Sequence, residues 1–207
     1  MSNGLIASDH PVQGHLDRII TAAHNAGDLF HSILKFSREE TELSQSTDVG
    51  ALIRENNSFF AAAIPIDIQL KFETSTLPCV AQISSNNLLD ILLALLSNSV
   101  DSYNGEAGIV RIESSSSEKL VEVSVEDYGC GIEADKLVRV FEPFYTQKDV
   151  GAGTGLGLAI VKRLVEDAGG QVDVISKPAK GTKITVRLPV SDQSVSDQSG
   201  SDQSDIK

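Results

Sequence analysis

Apolar and polar side chains alternate along four segments of the chain, at residues 66–72, 110–112, 121–125 and 184–188. A period of two predicts β-strands with one face in water. Strands of a sheet that is buried on both faces have continuous apolar runs instead. The alternation therefore predicts a sheet that is covered on one face only.

Helical periodicity occupies stretches between these strands. It predicts helices at residues 85–103, 133–140 and 155–169. Helices laid on one face of a half-wet sheet form a two-layer sandwich. The predicted fold class is therefore α/β, as an α+β two-layer sandwich whose mixed sheet is covered on one face by helices.

The N-terminal part carries a different pattern, an apolar stripe with alternating spacings of three and four. The stripe consists of Leu16, Ile19, Ala23, Ala26, Phe30 and Ile33. This spacing predicts a helix that packs against another helix in a bundle or coiled coil. Residues 12–40 supply one such helix, so its partner would be a second copy or a segment outside the chain. Alternatively, the stripe packs on the rest of the chain.

The C-terminal segment repeats the tetrapeptide SDQS three times, and its apolar residues are Val195 and Ile206. Such a segment buries too little apolar surface to offset the entropy lost on ordering. Residues 191–207 are therefore predicted to be a disordered tail.

Composition narrows the classes of partner. Lys plus Arg is 17 against 29 for Asp plus Glu, which gives a net charge of -12. The negative electrostatic potential that results disfavours binding to nucleic acid and to anionic membrane surfaces. Cys79 and Cys130 fit no metal-binding spacing. The apolar run at residues 88–96 is about half the ~20 residues that a membrane helix needs. We expect no membrane segment and a cytoplasmic location.

The first candidate site residue is an amide in the most apolar predicted helix. Asn98 follows a run of leucines, namely Leu92, Leu93, Leu95 and Leu96. A polar group in such surroundings needs a partner. An Asn carbonyl oxygen is a hard ligand that suits Mg²⁺. A capping or internally hydrogen-bonded Asn is the simpler explanation of the residue by itself.

An acid and two glycines follow the strand predicted at residues 121–125. Asp127, Gly129 and Gly131 place a carboxylate at the sheet edge beside a backbone that bends around a flat ligand. The carboxylate is suited to accept a hydrogen bond from an exocyclic amine such as that of adenine. The alternative is an ordinary strand–turn–helix connection with Asp127 as a turn residue.

The segment FEPFYTQK gathers aromatic residues in front of a cation. Phe141, Phe144 and Tyr145 surround Pro143, and Lys148 ends the segment. The proline fixes a bend, the rings are able to anchor a loop, and the lysine is able to reach a phosphate. A small hydrophobic anchor with a solvated lysine is the alternative.

Glycines alternate up to and into the start of the helix predicted at residues 155–169, at Gly151, Gly153, Gly155 and Gly157. Backbone N–H groups and a helix N-terminus together favour a phosphate site. The Walker pattern is absent, and so is the βαβ context of a dinucleotide fingerprint. The alternative is a flexible loop that caps an ordinary amphipathic helix.

The chain carries five recognisable segments: the Asn98 helix, the Asp127 box, FEPFYTQK, GTGLGL and GTKITVRLP. In this order and spacing they resemble the catalytic and ATP-binding domain of bacterial sensor histidine kinases. That domain belongs to the GHKL superfamily of gyrase, chaperone, histidine kinase and mismatch-repair ATPases. The resemblance covers about residues 48–190. Residues 12–40 resemble the second helix of the dimerisation and phosphoacceptor hairpin. The expected organisation is a partial dimerisation region at 1–47, the ATP-binding domain at 48–190 and the tail at 191–207.

The resemblance implies a role for each motif. Asn98 would coordinate Mg²⁺, Asp127 would recognise the adenine amine, and Lys148 would meet the phosphates. Residues 144–153 would form a mobile lid. Asn98 and Lys148 are the implied catalytic residues. The implied nucleotide-binding set is Asp127, Gly129, Gly131, Ile132, Phe144, Lys148, Gly153, Thr154, Gly155, Leu156, Gly157, Leu158 and Thr182.

The chain departs from the kinase pattern in two ways. The four histidines, His10, His15, His24 and His31, do not stand in the acceptor motif of the family, so the acceptor histidine would belong to another chain or segment. Ala94 stands one turn before Asn98, where kinases usually carry Asn. The expected function is an ATP·Mg-dependent histidine kinase core whose partners are ATP, an acceptor helix or response regulator and, through residues 12–40, a second copy.

Two alternatives remain from the sequence. One is a nucleotide-binding interaction module without useful catalysis, which Ala94 and the missing acceptor favour. The other is a serine kinase of the anti-sigma type, which shares the nucleotide pocket; the bundle-type helix that precedes the domain argues against it.

Overall fold

The structure is a computed structural model that describes residues 46–75, 78–148 and 153–191. The predicted helix at 12–40 and, apart from Ser191, the predicted tail at 191–207 lie outside the described residues. The helices are α1 (Val49–Glu55), α2 (Asn57–Ala62), α3 (Ser85–Asp101), α4 (Ala134–Leu137) and α5 (Gly157–Asp167). The strands are β1 (Thr47–Asp48), β2 (Ile68–Thr74), β3 (Val80–Ala81), β4 (Gly108–Ser116), β5 (Leu120–Asp127), β6 (Gln171–Lys177) and β7 (Gly181–Pro189).

The larger sheet has five strands in the order β2-β4-β5-β7-β6. Strand β2 runs parallel to β4, and the remaining neighbours are antiparallel. Strands β1 and β3 form a separate antiparallel pair. The larger sheet is therefore mixed, as predicted.

Helices α3 and α5 pack on one face of this sheet and on each other. The leucines of α3 supply much of the core, and Leu88, Leu92 and Leu96 are at most 1% exposed. Ser84 caps the N-terminus of α3, because its hydroxyl accepts a hydrogen bond from Asn87 N at 3.2 Å. The covered strand positions are Val110, Ile112, Val121, Val123, Val125, Ile184, Val186 and Leu188, all buried.

The opposite face of the sheet carries charged side chains in register. Arg111 lies opposite Glu126, which lies opposite Lys183 on the next strand. Lys183 Nζ is 2.6 Å from a carboxylate oxygen of Glu113. Because positions of one strand alternate between the faces, this open face explains the period of two in the sequence.

Several boundaries differ from the predictions. Ile66 is 98% exposed in a turn before β2, so it was wrongly assigned to the strand. Helix α4 covers four residues, and turns replace the rest of the segment predicted at 133–140. Helices α1 and α2 and strands β1, β3 and β6 were not predicted. Strand β6 contains the alternating apolar pair Val172 and Val174. A pattern this short does not distinguish a strand from a loop.

None of the helices within the described ranges is long and apolar enough to cross a membrane.

Candidate functional site

Asp127 is the last residue of β5, and its side chain lies on the face that the helices cover. The residue is 4% exposed. Its Oδ1 accepts three hydrogen bonds, from Ser102 Oγ at 3.0 Å, Gly129 N at 3.0 Å and Thr182 N at 3.2 Å. None of these three uses the second oxygen, Oδ2.

Burial raises the pKa of Asp127, because the charged form loses hydration. The hydrogen bonds from Gly129 N, Ser102, Thr182 N and the Ser99 side chain act in the opposite direction. No salt bridge of the described residues includes Asp127. Within the described residues, the protein thus holds a buried carboxylate with polar donors and without a basic side chain.

Two glycines set how closely the turn after β5 approaches its neighbours. A Cβ on Gly129 would lie 2.0 Å from Ser102 Oγ at the end of α3. A Cβ on Gly131 would lie 2.1 Å from the carbonyl oxygen of Lys177 at the end of β6. The turn therefore packs tightly between α3 and the β6–β7 hairpin, which only glycine at these positions allows.

Asn98 lies on α3 beside the N-terminus of α5. A Cβ on Gly157, the first residue of α5, would be 3.8 Å from Asn98 Nδ2 and would meet no other atom within 4 Å. Nδ2 is buried and has no hydrogen-bond partner among the residues that the structure describes. A buried amide that has no partner among the described residues indicates a position for a ligand.

The N-terminus of α5 has no capping side chain. Leu156 stands at the N-cap and is buried, and its side chain has no group to accept the first N–H bonds. The first turn carries no acidic residue either. The partial positive charge of this helix end is therefore available to an anion.

Lys148 lies near this end of the site, but its partner is a carboxylate. Its ammonium group forms an ion pair with Asp101, the last residue of α3. The aliphatic part lies beside Gly153, where a Cβ would be 2.9 Å from Lys148 Cδ. The remaining residues of the lid predicted at 144–153, at positions 149–152, lie outside the described residues and include Gly151.

Phe144 contacts the glycine-rich segment through its backbone. A Cβ on Gly155 would be 2.5 Å from the Phe144 carbonyl carbon, and both residues have positive φ, 65° and 66°. The Phe144 ring itself is 66% exposed. The prediction that this ring anchors the loop is therefore wrong for the described conformation, whereas Tyr145 packs under Arg139, whose guanidinium is 4.5 Å from the ring centroid.

The remaining predicted residues surround these positions. Thr182 is 8% exposed, and its hydroxyl lies 2.9 Å from Ser176 Oγ. Ile132 N donates to the same Ser176 hydroxyl at 2.8 Å. Thr154 Oγ1 accepts from Leu156 N at 3.3 Å. Leu158 is half-buried and packs against the core, so its side chain serves the fold.

Helix α3 joins the two ends of the site. Ser102 holds Asp127 at one end, and Ser102 N donates to the carbonyl oxygen of Asn98, one turn earlier, at 3.2 Å. The four residues from Asn98 to Ser102 rise about 6 Å along the helix axis. Asp127 and the N-terminus of α5 therefore lie beside α3 about one turn apart, on the covered side of the sheet.

Sequence reasoning missed Ser102, Asp101 and Ser176. Their residue types are common at helix ends and in strands, and no motif marked them. A signal existed only for Asp101 and Ser102, which lie three and four residues after Asn98 and so near its face of the helix. Within the described ranges no group of three or more His, Cys, Asp or Glu could hold a metal ion. A metal at Asn98 would therefore need ligands from a bound molecule.

The family of histidine kinase-, DNA gyrase B-, and HSP90-like ATPases matches residues 84–192, which is more than half of the chain. The chain belongs to this ATPase family. The matched region contains Asn98, Asp127 and the glycine-rich segment before α5.

Individual relatives are sensor histidine kinases. The sensor histidine kinase ZraS of Escherichia coli K12 is 38% identical, over 71% of this chain and 31% of ZraS. The catalytic domain of histidine kinase ThkA is 28% identical with a TM-score of 0.61, over 70% of this chain and 95% of that structure. Full-length ShkA in complex with AMPPNP is 29% identical with a TM-score of 0.67, over 84% of this chain and 38% of ShkA.

These matches confirm the predicted fold class and the predicted resemblance to sensor histidine kinases. The chain spans about a third of the length of ZraS, the curated relative described above.

Proposed function

We propose that this chain contains the catalytic core of a histidine kinase, at residues 48–190, which binds ATP with Mg²⁺ and transfers the γ-phosphoryl group to a histidine outside the chain. One observation carries the proposal. A buried carboxylate without a basic partner among the described residues and a helix N-terminus whose N-cap side chain makes no hydrogen bond lie beside α3, about one helical turn apart. A ligand that has an amine at one end and phosphates at the other complements both.

Asp127 would recognise adenine. Its Oδ1 is already occupied by three donors, so Oδ2 is the oxygen that would accept the exocyclic amine. An ionised acceptor makes a stronger hydrogen bond than a neutral one. Gly129, Gly131, Ile132 and Thr182 would line the base end, because they hold the turn and strand on either side of Asp127.

The N-terminus of α5 would hold the phosphates. The N-cap residue Leu156 makes no side-chain hydrogen bond to the first turn of α5, although Leu156 N itself donates to Thr154 Oγ1 at 3.3 Å. Gly153, Thr154 and Leu158 flank this segment. Backbone N–H groups and the helix dipole together favour a polyphosphate over a neutral ligand.

Asn98 fits a role in holding Mg²⁺. Rotation of its amide exchanges Oδ1 and Nδ2, so the same buried position is able to present an oxygen toward the phosphate end. Because one protein oxygen is a small part of a six-ligand shell, phosphates and water would complete it. Bound there, the ion would neutralise developing charge on the phosphoryl oxygens.

Lys148 would exchange one anionic partner for another. It pairs with the Asp101 carboxylate in the described conformation, and a phosphate is a partner of the same charge type. Phe144 and the segment up to Gly153 would carry this lysine over the nucleotide. The protein groups would thus position the γ-phosphoryl and neutralise its charge, which is most of what phosphoryl transfer requires.

The acceptor would be supplied in trans. None of the four histidines stands in the acceptor motif of the family, so an acceptor helix of a kinase would provide the nucleophile, and a response regulator would receive the phosphoryl group. Residues 12–40 would bring two copies together through their apolar stripe.

Isothermal titration of the 207-residue chain with ATP and MgCl₂ tests the binding part of the proposal. We expect saturable binding that weakens when EDTA replaces Mg²⁺. If neither condition gives binding, the proposal is wrong in both its catalytic and its non-catalytic form.

The alternative is an ATP-binding regulatory module without kinase activity. Ala94 favours it, because this side chain packs half-buried against the core and offers no polar group to the metal. Incubation with labelled ATP and a separately produced acceptor hairpin distinguishes the two. Acid-labile phosphohistidine supports the kinase, and its absence under conditions of saturating nucleotide supports the regulatory module.

A further inference from the structure

Ser102 occupies a position that joins the helix of Asn98 to the carboxylate of Asp127. It is the C-cap residue of α3. Its hydroxyl lies 3.0 Å from Asp127 Oδ1 and 2.7 Å from the carbonyl oxygen of Ser99. Its own carbonyl oxygen accepts from Cys130 N at 3.0 Å, in the turn that follows Asp127.

We propose that Ser102 is a positioning residue for base selection, because its hydroxyl, with the amides of Gly129 and Thr182, fixes Asp127 Oδ1 so that Oδ2 meets an adenine amine. This inference rests on the proposed function. It adds a residue that acts through Asp127 and that touches no part of the nucleotide itself.

The three donors restrain the carboxylate because they come from three separate elements. Ser102 caps the C-terminus of α3, Gly129 lies in the turn after β5, and Thr182 is the second residue of β7. A carboxyl group held on one oxygen by a single donor rotates about its last bond. Donors from three directions define one orientation, and only then does Oδ2 point to a fixed place.

The Ser102 hydroxyl has one proton and two acceptors within reach. The Asp127 carboxylate is charged, and the Ser99 carbonyl is neutral. A charge-assisted hydrogen bond is roughly twice as strong as a neutral one. The proton therefore goes to Oδ1 while Asp127 is ionised, which is the form that accepts the amine.

Replacement of Ser102 by Ala removes this hydroxyl and retains the backbone contact. The bond from Cys130 N to the Ser102 carbonyl oxygen does not need the side chain. The substitution also creates no clash with Gly129, since Ala is smaller than Ser. The Ser102→Ala variant is therefore expected to fold with the turn in place, which circular dichroism and a melting curve check.

Titration with ATP and with ITP provides the decisive readout. ITP carries a carbonyl oxygen where ATP carries the amine, so only ATP gains from a correctly oriented Oδ2. For Ser102→Ala we expect ATP affinity to fall about tenfold, as for the loss of one hydrogen bond to a charged group. Affinity for ITP should change little, so the ratio of the two affinities should also fall about tenfold.

Ser124→Ala is the matched control. The Ser124 hydroxyl donates to a carboxylate oxygen of Glu113 at 3.2 Å, on the open face of the sheet. This variant removes the same kind of bond on the face of the sheet opposite to Asp127, and the ATP-to-ITP ratio should equal that of the unmodified chain.

The outcomes separate this inference from the proposed function. An equal loss of ATP and ITP affinity in Ser102→Ala overturns the positioning role, because it indicates general support of the fold. An unchanged ATP affinity overturns it as well. If the unmodified chain binds ATP and ITP equally, adenine recognition by Asp127 is wrong. If it binds neither, the proposed function fails first.

Discussion

Two carboxylates of the same sheet show how the covered and the open face use the same chemistry differently. Asp127 lies on the covered face, and Glu113 lies on the open face. Each is within hydrogen-bond distance of a serine hydroxyl, Ser102 at 3.0 Å and Ser124 at 3.2 Å. They differ in what else surrounds them.

Glu113 has a cation, and Asp127 has none among the described residues. The hydrogen bond from Lys183 holds the pKa of Glu113 below its ordinary value, although partial burial opposes this. Burial raises the pKa of Asp127. A carboxylate whose charge a lysine already neutralises stabilises the fold. A buried one that only polar groups hold still favours a further donor, which a ligand supplies.

The largest expected effect is the loss of nucleotide binding in Asp127→Asn. An amide presents a donor or a neutral acceptor to the adenine amine, so we expect ATP affinity to fall about a hundredfold. Glu113→Gln makes the same change on the open face and should bind ATP as the unmodified chain does. Calorimetric titration measures both, and equal losses would contradict the contrast between the faces.

The Gly157→Ala variant should bind the phosphates less tightly without a loss of stability, because its added methyl group would occupy the phosphate position. The Ala Cβ meets only Asn98 Nδ2, at 3.8 Å, and Ala favours a helix over Gly. We expect ATP affinity to fall about tenfold, as for one lost amide contact, with an unchanged or higher melting temperature.

Gly155→Ala is the contrasting variant for that measurement. Its Cβ would lie 2.5 Å from the Phe144 carbonyl carbon at a positive φ of 65°. The melting temperature should therefore fall. If Gly157→Ala lowers stability as much as Gly155→Ala does, the space beside Gly157 is not open and the phosphate position is wrong.

The two carboxylates should give pH dependences of opposite sign. Asp127 has a raised folded pKa, so its contribution to stability is present below the unfolded pKa and is lost as pH rises through the folded pKa. Glu113 has a lowered folded pKa, so its contribution is present above the unfolded pKa and is lost as pH falls through the folded pKa. Melting curves across this acidic range, compared with Asp127→Asn and Glu113→Gln, test both signs.

The affinity for ATP should also depend on whether Asp127 is protonated. Ionised Asp127 is the acceptor for adenine, so ATP affinity should fall on acidification at a pH above that at which an exposed aspartate becomes protonated. An ATP affinity that stays constant throughout this range would contradict the assignment.

The smallest expected effect is the stability change of Glu113→Gln at neutral pH. The ion pair with Lys183 is partly exposed, with 29% and 34% of the two side chains accessible, and such pairs contribute about 0.5 kcal/mol. Urea unfolding at low and high salt measures it. A loss that does not shrink with added salt would argue against an electrostatic origin.

The sequence predicted the two layers of this fold, because buried positions recur with a fixed period along each strand and helix. Val121, Val123 and Val125 alternate with polar residues, and the structure buries all three. It failed at Ile66, which has the right spacing but lies in an exposed turn. Apolar character alone does not say where the backbone begins to pair with a neighbouring strand.

The sequence predicted the motifs of the candidate site but not the contacts that connect them. Asp127, Asn98 and Gly157 were identified because acid, amide and glycine carry recognisable chemistry at recognisable spacing. Ser102 was missed, because a hydroxyl at the end of a helix resembles many others. Lys148 was expected at the phosphates, and the structure pairs it with Asp101, a contact 47 residues apart along the chain.

By itself the sequence determined which face of each strand and helix is apolar, and where glycine and carboxylate chemistry is concentrated, since these depend on local residue types. Only the tertiary structure decided that, among the described residues, Glu113 has a cationic partner and Asp127 has none, and that Ser102 lies between Asn98 and Asp127. Such pairings depend on how distant segments meet, and the free energy that brings them together comes from burial of the whole core.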